Sequence, residues 1–154
     1  TGHELPPVYV YALETSLQLT LTELNESLRE VYLEAYRQPQ SADYIYRHTA
    51  SELYQIFGSY LPSYSECDFY EQDIGSGGIM RAYMERPCDL YFTLEKKLSR
   101  FLTMSMRAYC VPPDEQQQVL AFIETLDIRS ISEQVMQELF RKLEMQFSFS
   151  LGNS

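Results

Sequence analysis

Apolar side chains along this chain recur every three or four residues, in segments that prolines separate. This spacing places them on one side of an α-helix. Proline is costly inside a helix but tolerated at its ends, and every proline falls between the periodic segments. We therefore expect one all-α fold, an antiparallel bundle of about six or seven helices. The prolines are Pro6, Pro7, Pro39, Pro62, Pro87, Pro112 and Pro113.

The first segment covers about residues 8–36. Its apolar positions predict an amphipathic helix, but Asn25, a good helix cap, interrupts the run. One long helix and two shorter ones both fit the pattern, and we favour a break near Asn25. The stripe consists of Leu13, Leu17, Leu21, Leu24, Leu28, Val31 and Ala35.

Five further segments show the same periodicity. Two of them cover about residues 42–61 and 66–85, and a third begins with Asp89 as its expected N-cap. A shorter helix is expected to follow Pro112 and Pro113. The last helix is expected to begin at the capping box Ser130–Glu133, in which each side chain accepts from the other residue's backbone N–H.

The composition fits a single soluble domain of 154 residues from the cytoplasm. The net charge of −10, from 22 acidic and 12 basic residues, argues against direct binding to nucleic acid. The three cysteines lack the spacing of metal ligands, which predicts reduced thiols. No run approaches the roughly 18 apolar residues of a membrane span.

Few residues in the chain are typical of catalysis. His3 and His48 are the only histidines. His3 belongs to a terminal tail, and His48 shares a helix side with Glu52 that we expect to face water. Hydrolytic triads need an oriented histidine, and metal sites need spaced ligands, so we expect no enzymatic activity, metal or cofactor. Lys96 and Lys97 are expected on a solvated helix face.

The third segment contains Gly75, Gly77 and Gly78, each of which weakens a helix by roughly 1 kcal/mol relative to alanine. Close helix packing, a kink or space for a ligand would each compensate, and we favour close packing. Arg81 follows Ile74 by two turns on the same side of the helix. Its side chain could pair with a buried acid, extend to water or contact an anionic ligand, and we favour pairing with a buried acid.

The chain contains 13 tyrosines, 8 phenylalanines and 6 methionines, and no tryptophan. Such a set suits a pocket for an apolar or aromatic compound, because methionine is adaptable and tyrosine has a polar end. It equally suits an ordinary helical core whose hydroxyls reach the surface. Composition alone leaves both interpretations open.

Two stretches resemble the C-terminal regulatory part of TetR-like bacterial transcriptional regulators. The first is ALETSLQLTLTELNESLREVYLEAYRQP followed by SADYIYRHTASELYQIF, and the second is DIGSGGIMRAYMERPCDLYFTLEKKLSRFL. The resemblance lies in pattern and helix order over most of the chain. It implies that residues 1–154 form one ligand-binding and dimerisation domain. The family's N-terminal helix-turn-helix DNA-binding unit is not present in this chain, and we expect it upstream.

In such regulators the first long helix carries the signal towards the DNA-binding unit, the middle helices surround a pocket, and two late helices form a homodimer. The resemblance thus implies an apolar or aromatic effector and contact with DNA only through the upstream unit. Inward stripes of successive helices nominate the ligand-binding residues Leu17, Tyr46, Phe57, Ile74, Met80, Tyr83, Met84 and Phe101. The late helices nominate the dimer residues Leu98, Leu102, Val135, Leu139, Phe140 and Leu143.

Two other classes of function remain open. A freestanding helical module that binds a protein partner would have a filled core and an exposed apolar groove. An enzyme would need titratable groups that converge, such as Arg81, His48 and an acid in one pocket.

Overall fold

A computed structural model describes residues 4–152 of the chain, with the side chains of residues 4–144. This range contains seven helices and no strand, so the expected all-α bundle is confirmed. His3 lies outside the described residues. The helices are α1 (Pro7–Leu24), α2 (Glu26–Arg37), α3 (Pro39–Phe57), α4 (Glu66–Glu85), α5 (Leu94–Ala108), α6 (Pro113–Glu124) and α7 (Ile128–Gly152).

Helix α1 lies at the centre of the bundle and contacts each of the other six helices. Its most buried positions include Ala12, Ser16 and Thr20, whereas Leu24 of the predicted stripe is exposed. The leucine stripe is therefore not the inner face, because neighbouring helices contact α1 on several sides. Thr20 is tolerated there since its hydroxyl donates to the carbonyl of Ser16, at 2.7 Å.

The break between α1 and α2 is confirmed at Asn25. Its side chain accepts a hydrogen bond from the Leu28 N–H at 2.9 Å and so caps α2. Helix α4 has the predicted bounds. A capping box of Ser65 and Asp68, which the sequence analysis did not single out, begins it.

Three helix starts differ from the predictions. Helix α3 begins at Pro39, three residues early, because proline fits the first turn of a helix. Asp89 does not cap α5: it accepts from the N–H groups of Tyr91 and Phe92 in a turn, and Thr93 is the N-cap. Helix α7 begins at Ile128 instead of Ser130, because Asp127 accepts from the Ser130 N–H.

Stacked aromatic rings form the middle of the core. The ring of Tyr109 stacks on Phe57 at 4.5 Å between centroids and lies 6.1 Å from the ring of Phe69. Tyr11 of α1 meets the edge of Phe57 at 5.0 Å. These contacts hold α1, α3, α4 and the end of α5 together through large apolar surfaces.

Lys97 corrects the expectation of a solvated face, because its side chain is only 1% exposed. Its ammonium donates to Glu23 Oε2 at 2.9 Å and to the carbonyl of Arg86. The other Glu23 oxygen accepts from the Cys88 N–H. Burial acts to raise the pKa of Glu23, but the hydrogen bonds from Lys97 and Cys88 outweigh it and the pKa is lowered. The ion pair thus ties α1 and α5 to the α4–α5 connection.

We predict that Lys97→Met lowers the free energy of unfolding by about 3 kcal/mol, because it leaves the Glu23 carboxylate without its counter-charge. Lys96→Met at the exposed neighbouring position should change it by less than about 0.5 kcal/mol. Urea denaturation of both variants measures the difference. Equal effects would show that the buried pair does not contribute to stability as argued.

Candidate ligand-binding cavity

A cavity of about 450 Å³ lies among the first five helices. Helices α1 to α4 each contribute several side chains, and α5 contributes Phe101. The lining residues are Tyr11, Glu14, Thr15, Gln18, Val31, Tyr32, Ala35, Tyr36, Ile45, Thr49, Glu52, Leu53, Ile56, Asp73, Ser76, Gly77, Met80 and Phe101. The walls are mainly apolar or aromatic with a few polar groups, which is the usual composition of a small-molecule site.

Carboxylates lie at two depths of this cavity. Glu14 and Glu52 are exposed, so they belong to the part of the lining that opens to solvent. Asp73 is only 6% exposed and lies inside. The described lining contains no lysine, arginine or histidine, so its formal charge is negative.

A chain of hydrogen bonds holds the Asp73 side chain in place. The Ser76 hydroxyl donates to Asp73 Oδ1 at 3.2 Å, and the Tyr109 hydroxyl lies 2.5 Å from Ser76 Oγ. Because the serine proton points to the carboxylate, the tyrosine donates to the serine. Asp73 Oδ2 receives no hydrogen bond from the described residues. One carboxylate oxygen therefore remains available to a group inside the cavity.

Burial controls the proton affinities of the groups around this site. It raises the pKa of Asp73 to about 6, although the Ser76 hydrogen bond and the charge of Arg81 act to lower it. Burial also raises the pKa of Tyr11 to about 12 and moves that of Tyr109 well above its ordinary value. The Asp73 carboxyl alone among these three changes charge near neutral pH.

Arg81 lies behind the cavity wall and makes no ion pair with Asp73 among the described side chains. It donates to the hydroxyl of Tyr46, and its guanidinium carbon lies 4.8 Å from the centroid of the Tyr36 ring. The favoured pairing of Arg81 with a buried acid is thus replaced by aromatic contacts.

Gly77 lies where these groups converge. A Cβ atom there would lie 3.1 Å from Tyr46 Cε1, 3.6 Å from Arg81 Nη1 and 3.7 Å from Asp73 Oδ1. Close packing therefore accounts for Gly77. Nothing in the structure explains Gly75, which has open space around it.

No protein-family model, curated protein or solved structure matches this chain. The residues described here contain no cluster of histidine, cysteine and acidic side chains suited to a metal ion. Nor is any described helix both long and apolar enough to cross a membrane.

The nominated ligand-binding residues separate into three groups. Met80 and Phe101 line the cavity. Phe57 and Met84 are buried in the core, while Leu17, Tyr46 and Tyr83 are half-buried outside the lining. Ile74 is 47% exposed, so we do not include it in the candidate site.

The nominated dimer residues also separate. Leu98 and Leu102 are buried inside their own protomer, because α5 turns them towards the core and α6, and we drop them from the candidate interface. On α7, Val135 is half-buried. Leu139, Phe140 and Leu143 are 46%, 55% and 54% exposed.

Sequence reasoning missed Asp73 as a cavity residue, although a signal for it exists. Phe69, Asp73, Met80 and Met84 follow one another at spacings of four, seven and four, which place them on one helix side. An acid within an apolar stripe indicates a buried charged group, and burial of that charge lowers the stability of the protein. His48, in contrast, is exposed and 3.4 Å from Glu52, so it does not join Arg81 and Asp73 in one site.

We predict that Asp73→Asn stabilises the protein above pH 6. The folded-state pKa of about 6 exceeds the ordinary value of 3.8, so ionisation of Asp73 costs stability as the pH rises from about 4 to 6. The asparagine variant should gain about 1–3 kcal/mol in unfolding free energy at pH 8 and almost nothing at pH 4. Urea denaturation at both pH values measures this gain.

Glu71→Gln is the matched control for this experiment, since Glu71 is an exposed acid on the same helix. Its effect should be small and similar at both pH values. A stability gain for Asp73→Asn that does not depend on pH would contradict the assignment of a buried, costly charge.

Proposed function

We propose that this chain is the effector-sensing and dimerisation domain of a TetR-like transcriptional regulator. A small molecule in the α1–α5 cavity favours one arrangement of the helices and so controls a DNA-binding unit outside this chain. The observation that carries the proposal is the apolar cavity with one buried carboxylate. The resemblance to TetR-like regulators in helix order and hydrophobic pattern is a second argument for the proposal.

The position of α1 supports a signalling role. Tyr11, Thr15 and Gln18 of α1 line the cavity, and the same helix contacts all the other helices. A ligand that displaces α1 therefore acts on the whole bundle. Such a ligand shifts the population between two arrangements by as much as its affinity for them differs.

Helix α7 supports pairing with a second copy of the chain. Leu139, Phe140 and Leu143 place large apolar side chains in contact with water. Burial of such surface contributes roughly 25 cal/mol per Å². We propose that α7 alone, without the buried Leu98 and Leu102 of α5, supplies the apolar centre of the homodimer.

The proposal assigns no catalytic step to the chain and places it in the bacterial cytoplasm. Cys67, Cys88 and Cys110 are free thiols, which suits a reducing compartment. The runner-up is a freestanding helical module that uses the α7 face to bind another protein. It needs no ligand in the cavity, so ligand binding distinguishes the two.

We predict that the apolar dye N-phenyl-1-naphthylamine binds in the cavity and fluoresces there. Thr49 lines the cavity, so Thr49→Phe should fill part of it and weaken dye binding by about tenfold or more. Ser51→Phe, at an exposed position on the same helix, should leave binding unchanged. Fluorescence titration measures both. Absence of dye binding to the unmodified protein would favour the interaction module.

We predict that the protein is a dimer in solution and that Leu139→Glu converts it to monomers or aggregates. The substitution places a charge at the centre of the proposed apolar contact, where its desolvation is unfavourable. Gln137→Glu adds the same charge at an exposed neighbouring position and should leave the dimer intact. Light scattering gives the mass of each variant, and a dimer that tolerates Leu139→Glu would exclude this face.

A further inference from the structure

We propose that the effector is a lipophilic cation, an amine or quaternary ammonium compound. Its charged group lies beside Asp73 and its apolar body lies against the aromatic wall of the cavity. This inference rests on the proposed function, because it names the chemical class of ligand for the same cavity. Three features of the cavity support it: the charge of the lining, the free oxygen of Asp73 and the nature of the walls.

The charge of the lining selects against anions. Asp73 lies inside the cavity and Glu14 and Glu52 lie where it opens, and no described lining residue is basic. An anion entering between these groups would meet like charge at both depths. A cation is attracted first by the two exposed carboxylates and then by the buried one.

The Asp73 carboxylate lacks a close counter-charge. Ser76 satisfies Oδ1, while Oδ2 receives no hydrogen bond among the described groups. Arg81 is directed to Tyr46 and Tyr36 and does not line the cavity. The Ser76 hydrogen bond and the charge of Arg81 offset the burial of this carboxylate only in part, and a cation that binds next to it would reduce the remaining cost.

The cavity walls suit the rest of such a molecule. Tyr32, Tyr36 and Phe101 present aromatic rings, and Leu53 and Met80 add flexible apolar surface. Aromatic faces attract cations as well as apolar groups, and the attraction increases when water is excluded. A neutral apolar compound would use the walls but would leave the Asp73 charge unpaired.

Tyrosines from the helices packed around Asp73 face its carboxyl group. Because they do not change charge in the pH range of the test, a pH effect on binding there can be assigned to Asp73. Tyr11 of α1 and Tyr109 after α5 have raised pKa values, and Tyr36 of α2 has a raised pKa as well. They stay uncharged between pH 5 and 7.5. Arg81 also acts on the charge of Asp73, and Tyr46 of α3 accepts its hydrogen bond.

The test compares two probes of the same shape that differ in charge, 3-hydroxyphenyltrimethylammonium and 3-tert-butylphenol. Calorimetry on the full chain at pH 7.5 should show that the ammonium binds about tenfold more tightly or better. Asp73→Asn should reduce this preference to about onefold, mainly by weakening the binding of the ammonium probe. Glu71→Gln should keep the preference of the unmodified protein.

Two measurements on the unmodified protein do not depend on any variant. The preference for the ammonium should fall at pH 5, where Asp73 is protonated. At pH 6, binding of the ammonium should release protons, because the cation lowers the proton affinity of Asp73. Calorimetry in two buffers with different ionisation enthalpies detects this release, and 3-tert-butylphenol should release none.

The outcomes separate the two proposals. Equal affinity for the two probes, or a preference that survives in Asp73→Asn, would overturn the cation proposal and leave a sensor of neutral compounds. Failure of both probes and of N-phenyl-1-naphthylamine to bind would overturn the sensing function too. A preference that requires Asp73 and is accompanied by proton release supports both.

Discussion

The architecture depends on one constraint: α1 contacts all six other helices. A helix with six neighbours must pack on several sides at once, and small or self-satisfied residues allow this. Ala12 and Ser16 let neighbours approach, and Thr20 and Thr22 bond to the carbonyls one turn before them. The outer helices supply most of the largest buried side chains, as in the stack of Phe57 and Tyr109, and α1 adds Leu19.

Two buried charges show opposite solutions to the same physical problem. Lys97 has Glu23 and a backbone carbonyl within hydrogen-bond distance, so its burial is compensated within the protein. Asp73 has one hydroxyl donor and a second oxygen without a donor among the described residues. The fully paired Lys97 stabilises the fold, whereas the partly compensated charge of Asp73 would be stabilised further by a cation that enters the cavity. This contrast is the physical basis for treating Asp73 as the recognition group.

The helices, the break at Asn25 and the bounds of α4 could be predicted from the sequence, because caps, prolines and periodicity act locally. The capping by Thr93 and Asp127 could not, since Asp89 and Ser130 are equally good caps by residue type and the choice depends on tertiary packing. Only Met80 and Phe101 of the nominated ligand residues line the cavity. A helical stripe identifies buried positions, but it does not distinguish contact with another side chain from contact with a void.

If the proposed cation binds in the cavity, charge burial gives a physical route by which it would act on the bundle. With the cavity empty above pH 6, the Asp73 carboxylate is ionised and poorly solvated, which penalises the arrangement in which it is buried. A bound cation would stabilise the arrangement in which Asp73 is buried more than an arrangement in which water solvates Asp73. The proposed cation would therefore have the differential affinity that any population shift requires. Helix α4 carries Asp73 and contacts α1, and α1 contacts every other helix. A change in the position of α4 would therefore affect the whole domain.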